Sequence, residues 1–117
     1  DRSEVWETGM PTQIFTVGKV VAVTFVHLPM QGKVTFVDIS DEENTELLYR
    51  YCYTSSKFRK FAQALEPETF VVAEGEVTHH KVLHPPNGTR STLLVAGKVL
   101  RILQRPAVSI TSNEVKE

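Results

Sequence analysis

Apolar, β-branched runs, two of them alternating with polar residues at a period of two, make up most of this chain, and both patterns belong to β-strands. Ile14 to His27 is a long β-branched run with Gly18 near its start. Leu28-Pro29-Met30-Gln31-Gly32 supplies the proline and glycine of a hairpin loop. In Lys33 to Ile39, Val34, Phe36 and Asp38 face one way, and Lys33, Thr35, Val37 and Ile39 the other. Ser40 to Glu46 is polar and acidic and reads as a connecting loop. Glu46 to Thr54 is a third strand, with Tyr49, Tyr51 and Tyr53 on one side and Leu48, Arg50 and Cys52 on the other.

The period changes after Thr54. Phe58, Phe61, Ala62 and Leu65 fall at helical spacing, behind a cap at Ser55 or Ser56, with Lys57, Arg59, Lys60 and Gln63 on the wet face. Glu66-Pro67-Glu68 stops this helix, because proline disfavours helical geometry in the residue before it. Strand spacing then returns from Thr69 to Val82, interrupted at Gly75, and from Ser91 to Leu103, interrupted at Gly97. A glycine inside a strand marks a bulge or bend, and bends are what a small closed barrel asks of its strands. Pro85-Pro86-Asn87-Gly88 is the turn between those last two strands. The order β-β-β-α-β-β defines an all-β fold with one helix, the five-stranded OB-fold barrel. Residues 1–13 lack periodicity and read as a tail, 14–103 as the OB-fold domain, and 104–117 as a tail or an extra edge strand.

Composition narrows the function. With 117 residues the chain makes one domain, and no apolar run approaches a membrane span. Beginning at Asp1 without a basic-then-apolar leader, it reads as an excised domain. A single cysteine, Cys52, excludes an internal disulfide and a multi-cysteine zinc site, and its apolar-aromatic neighbours suggest a buried, inert thiol. With 13 Lys+Arg against 14 Asp+Glu the net charge is −1, so bulk charge gives no grip on phosphates and any nucleic-acid contact must be local.

Three stretches resemble the bacterial and mitochondrial single-stranded-DNA-binding-protein (SSB) type of OB-fold. Val17-Gly18-Lys19-Val20 resembles that family's first-strand signature, Tyr49-Arg50-Tyr51 its third strand, and Phe70-Val71-Val72-Ala73-Glu74-Gly75-Glu76-Val77 its fourth. The resemblance spans residues 14–103. It departs where the family stacks bases on aromatic rings: this chain carries Leu48, Thr54 and Val82 there, and its one tryptophan, Trp6, lies outside the barrel. The family's DNA-wrapping loop between strands two and three is here the short acidic Ser40–Glu46, which repels phosphate. That pattern of losses is similar to the OB-fold domains of interaction proteins in the trypanosome mitochondrial RNA-editing complex (the editosome). The resemblance implies a mitochondrial, non-catalytic scaffold, homo- or hetero-oligomeric. Its partners would be other OB-fold proteins or catalytic subunits of the same complex, with single-stranded RNA as a further ligand. The alternative is a direct single-stranded DNA- or RNA-binding protein.

The candidate contacts for a nucleic-acid strand are Lys33, Arg50, Lys81 and Arg90, within a basic set that also holds Lys98 and Arg101, plus Tyr49 and Tyr51 as a stacking platform. The tyrosines have a competing use as barrel filling, and scattered lysines are ordinarily solvated. His79 and His80 are adjacent on a strand, point to opposite faces and cannot readily share an ion, even with His84 nearby. Asn87-Gly88-Thr89 fits a glycosylation sequon, although the turn accounts for it. No phosphate-binding glycine loop, Cys–His pair or paired carboxylate stands out, and Asp41, Glu42 and Glu43 form a solvated charge run. No enzyme activity, metal or cofactor is expected.

Overall fold

β1 (Ser3–Leu28) is one strand shared between two halves of a barrel. Its second half pairs antiparallel with β2 (Gly32–Asp41), from Lys19 opposite Ser40 to Leu28 opposite Gly32. Its first half pairs antiparallel with β4 (Phe70–Leu83), with Thr12 to Lys19 opposite Val77 to Phe70 and Ser3 to Glu7 opposite Leu83 to His79. β3 (Asn44–Tyr53), α1 (Ser56–Gln63) and β5 (Arg90–Gln104) complete the chain. The strands close in the order β1-β2-β3-β5-β4, with β3 and β5 parallel and the other pairs antiparallel. The computed structural model describes residues 3–83 and 90–105, so the Pro85–Gly88 turn, the sequon, His84 and the segment 106–117 lie outside the described residues.

The inner face is filled from every strand: Val20, Val37, Ile39, Tyr51, Tyr53, Val71, Ala73, Val95 and Leu100 are all buried. α1 closes one end. Ser55 caps it, its hydroxyl accepting from the Lys57 N–H at 3.2 Å, and Ala62 is buried while Phe58 and Phe61 pack against the core. The Phe58 ring lies 4.7 Å from the ring of Tyr53.

Closure needs β1 to bend. The β1–β2 register shifts between Val20 and Ala22, a bulge that leaves Val21 half-exposed and unmatched. The segment after α1 is stitched to that bulge: Glu68 N–H donates to the Val20 carbonyl at 2.8 Å and Val20 N–H to the Thr69 carbonyl at 2.9 Å. Glu68 holds φ at +73°, a left-handed conformation that these contacts fix. On β4, Gly75 sits where the β4–β5 register shifts, and a Cβ there would run into the Ala96 carbonyl oxygen. Gly97 lies under the Tyr53 ring, whose hydroxyl reaches over it to the Val99 carbonyl at 2.7 Å. These crowding contacts are what the in-strand glycines serve.

Two expectations are corrected. Residues 1–13 are not a tail: β1 starts at Ser3, and Trp6 lies within it, opposite His80. A β4 long enough to extend to Leu83 supplies that ladder, and nothing in the spacing of residues 3–13 reveals it. Ser40–Glu46 is not a loop of seven residues either, because β2 runs to Asp41 and β3 begins at Asn44. Asp41 Oδ1 accepts from the Glu43 N–H at 2.9 Å and Asn44 Oδ1 from the Glu46 N–H at 3.2 Å, and side-chain acceptance of this kind makes a tight turn from polar residues.

Candidate nucleic-acid interface

β3 lies between β2 and β5, so its outward side chains look onto both neighbours. Arg50 stands opposite Asp38 on β2 and Leu94 on β5, and Leu94 in turn stands opposite His79 on β4. In the next outward row Leu48 meets Thr92, and Thr92 meets Lys81. Two rows of one curved face are thus set by strand register alone.

Arg50 divides this face into two clefts. One, of about 440 Å³, is lined by Glu46, Leu48, Arg50, Lys81, Arg90 and Thr92. The other, of about 500 Å³, is lined by Phe36, Arg50, Cys52, Thr54, His79 and Leu94 among others. The first carries three cations against Glu46, and the second is mainly apolar, with Arg50, Thr54 and His79 among its polar residues. Burial pushes the Cys52 thiol above its usual range, so it stays a neutral wall of the second cleft.

Arg50 itself is held in place. Its Nε donates to Asp38 Oδ1 at 2.8 Å and its Nη2 to Asp38 Oδ2 at 3.0 Å, a bidentate pair. Its guanidinium carbon lies 5.5 Å from the centre of the Phe36 ring. The Asp38 side chain is only 8% exposed, whereas that of Arg50 is 42% exposed. The hydrogen bond to Asp38 raises the Arg50 pKa further, against a partial cost of burial.

Of the residues that the sequence nominated, Arg50, Lys81 and Arg90 meet at one cleft. Lys33 does not join them, since it pairs with His27 beside the β1–β2 turn. Lys98 bonds Glu76 at 3.2 Å, and Arg101 lies opposite Val72 on β4, so neither extends the strip into the clefts. Tyr51 is fully buried and has no face to offer a base; its hydroxyl lies 2.6 Å from Thr16 Oγ1 and donates to the Ala73 carbonyl at 3.3 Å. Tyr49 is half-buried and packs against the same core. The tyrosine platform is therefore corrected to barrel filling: these residues share the inward side of β3. Val82, placed by the resemblance at a stacking position, is buried too, while Leu48 and Thr54 do face the clefts. His79 and His80 open onto different cavities, the latter one of about 300 Å³ with Leu47 and Leu93.

Phe36, Glu46 and Leu94 line the clefts without any local signal that marks them as site residues. Period two had put Phe36 beside Asp38 on one face of β2, but choosing that face needs the register of β3 against β5, which joins residues far apart in sequence.

A closed five-stranded barrel with a helix between its third and fourth strands is an OB-fold. Solved structures of the same fold include a mitochondrial single-stranded-DNA-binding protein from S. cerevisiae, with a TM-score of 0.60 and 15% identity over 83% of this chain and 100% of that one. Another crystal form of it gives a TM-score of 0.56 at 13% identity, covering 83% of this chain and 98% of that one. The small single-stranded-DNA-binding protein of Streptomyces coelicolor gives 0.58 at 14% identity, over 80% of this chain and 94% of that one. At such identities the likeness is one of fold. Neither a scan against protein-family models nor a search of curated proteins finds a match.

Proposed function

We propose that this OB-fold is a non-catalytic module that binds single-stranded nucleic acid across the outer face of β2, β3, β5 and β4. One observation carries the reading: Arg50, Lys81 and Arg90, from three different strands, converge on one cleft beside a second, apolar one. A charged track beside apolar walls is what a strand with phosphates on one side and bases on the other requires. The fold's likeness to single-stranded-DNA-binding proteins supports the same reading. Fluorescence anisotropy of a labelled poly-U strand, at low and moderate salt, tests it. Micromolar or tighter binding that weakens with salt is expected, and absence of binding at low salt would overturn it.

A second reading is that the domain scaffolds a complex, as the resemblance to editosome interaction proteins suggests, in a mitochondrial setting. The apolar run Leu93–Ala96 does not supply its edge, being paired on both sides with β3 and β4, whereas Ala22 and Val23 pair with β2 alone among the described residues. The supporting feature is instead the first half of β1: among the described residues, 12–18 pair only with β4, and Phe15 and Val17 are exposed. An unpaired strand edge with apolar side chains favours strand addition from another OB-fold protein or an enzyme subunit, in a homo- or hetero-oligomer. Light scattering on the wild-type domain and on Val17→Lys checks this reading. Association that the substitution abolishes supports it, and a wild-type monomer counts against self-association.

A further inference from the structure

We propose that Arg50 is a base-contacting wall of this groove rather than a phosphate clamp, so that a nucleotide straddles it: base in the apolar cleft, phosphate in the cationic one. The inference rests on the nucleic-acid reading given above and assigns each cleft its part of the ligand. Asp38 accepts from Arg50 on both carboxylate oxygens and is nearly buried. Swinging Arg50 onto a phosphate would leave that carboxylate unpaired in a poorly solvated place, which is strongly unfavourable. Arg50 therefore stays where it is, its charge compensated. Lys81 and Arg90 differ: both are exposed, and neither is ion-paired among the described residues. They are the cations available to phosphate.

What Arg50 retains is a planar, weakly hydrated surface fixed at the border of both clefts. Guanidinium planes are stacking partners for unpaired bases, as aromatic rings are. Beyond Arg50, Phe36, Cys52 and Leu94 continue the apolar wall, and the cleft of about 500 Å³ leaves space over it. Thr54 and His79 also line this cleft and bring polar groups that the edge of a base can meet. A stacking surface is thus present at a position where no aromatic side chain points outward from β3.

The test compares an oligo-U strand with an abasic ribose-phosphate strand of the same length, at several salt concentrations, on the wild-type protein and on Arg50→Lys, which keeps the charge and loses the plane. Wild-type protein is expected to bind the oligo-U strand at least about fivefold more tightly than the abasic one, the lower end of what one stacked base supplies. Arg50→Lys should erase that preference and leave the salt dependence unchanged. Lys81→Ala combined with Arg90→Ala should reduce the slope of log affinity against log salt by about 0.7 per cation on both strands. Equal wild-type affinity for the two strands overturns the inference without any variant, as does a folded Arg50→Lys protein that keeps the base preference or loses salt slope. Binding to neither strand has a separate meaning: it removes the nucleic-acid function itself, and the inference with it.

Discussion

The hydroxyls of Tyr51 and Thr35 are both inside the barrel wall, and they contribute oppositely. Tyr51 is satisfied by Thr16 and the Ala73 carbonyl. Tyr51→Phe would leave Thr16 Oγ1 buried without that partner, so a loss of about 1–3 kcal/mol is expected in denaturant unfolding, with strand binding unchanged. Burial pushes the Tyr51 pKa up to about 12 from the usual 10.0, partly offset by the Thr16 hydrogen bond, and burial raises Tyr53 as well. An unfolded chain ionises these phenols first. The stabilisation from Tyr51 is therefore complete below pH 10 and lost as pH rises through 12, with that from Tyr53 lost at still higher pH, which thermal melts across that range, followed by tyrosinate absorbance, would display. Thr35 Oγ1, in contrast, is buried without a hydrogen-bond partner among the described residues. Thr35→Val keeps the β-branched shape and removes the stranded hydroxyl, and should stabilise the domain by about 1 kcal/mol in the same assay.

Among the elements, α1, β2 and β3 were legible in kind and place, since each carries a local period, but the end of β2 and the start of β3 each lie two residues further into the acidic turn than that period shows. The bends in β4 and β5 were legible as well, because Gly75 and Gly97 interrupt otherwise β-branched runs. Gly97→Ala tests the packing reason: its methyl would enter the Tyr53 ring, which is tied at its hydroxyl to Val99, so about 1–3 kcal/mol should be lost. Gly75→Ala should lose at least as much, because backbone rather than a side chain blocks the methyl. The first half of β1 was not legible. Residues 3–13 have no period of their own, and 3–7 and 12–13 pair with β4 alongside, a long-range cause that leaves no local mark.

For the whole molecule, a net charge near zero conceals a sorted surface. Lys19 bonds Glu42 at 3.0 Å and Lys98 bonds Glu76 at 3.2 Å, while Lys81 and Arg90 are left beside one cleft. Three of the six nominated residues meet there, and the sequence could not sort them: β3 and β5 run parallel, and that pairing decides which cations share a surface. Glu46 is the carboxylate of the cationic cleft, so Glu46→Gln should tighten oligo-U binding about two- to fivefold at low salt, with the gain fading as salt rises. The sharing of β1 between β2 and β4 also sets an order of events during synthesis. Lys19 to Leu28 can pair as soon as β2 has emerged, but residues 12–18 must wait until β4 follows, after β3 and α1 have been made. A nascent or truncated polypeptide ending before Phe70 would therefore hold Phe15 and Val17 on a strand open along both edges, the form of this protein most exposed to chaperones, proteases and aggregation.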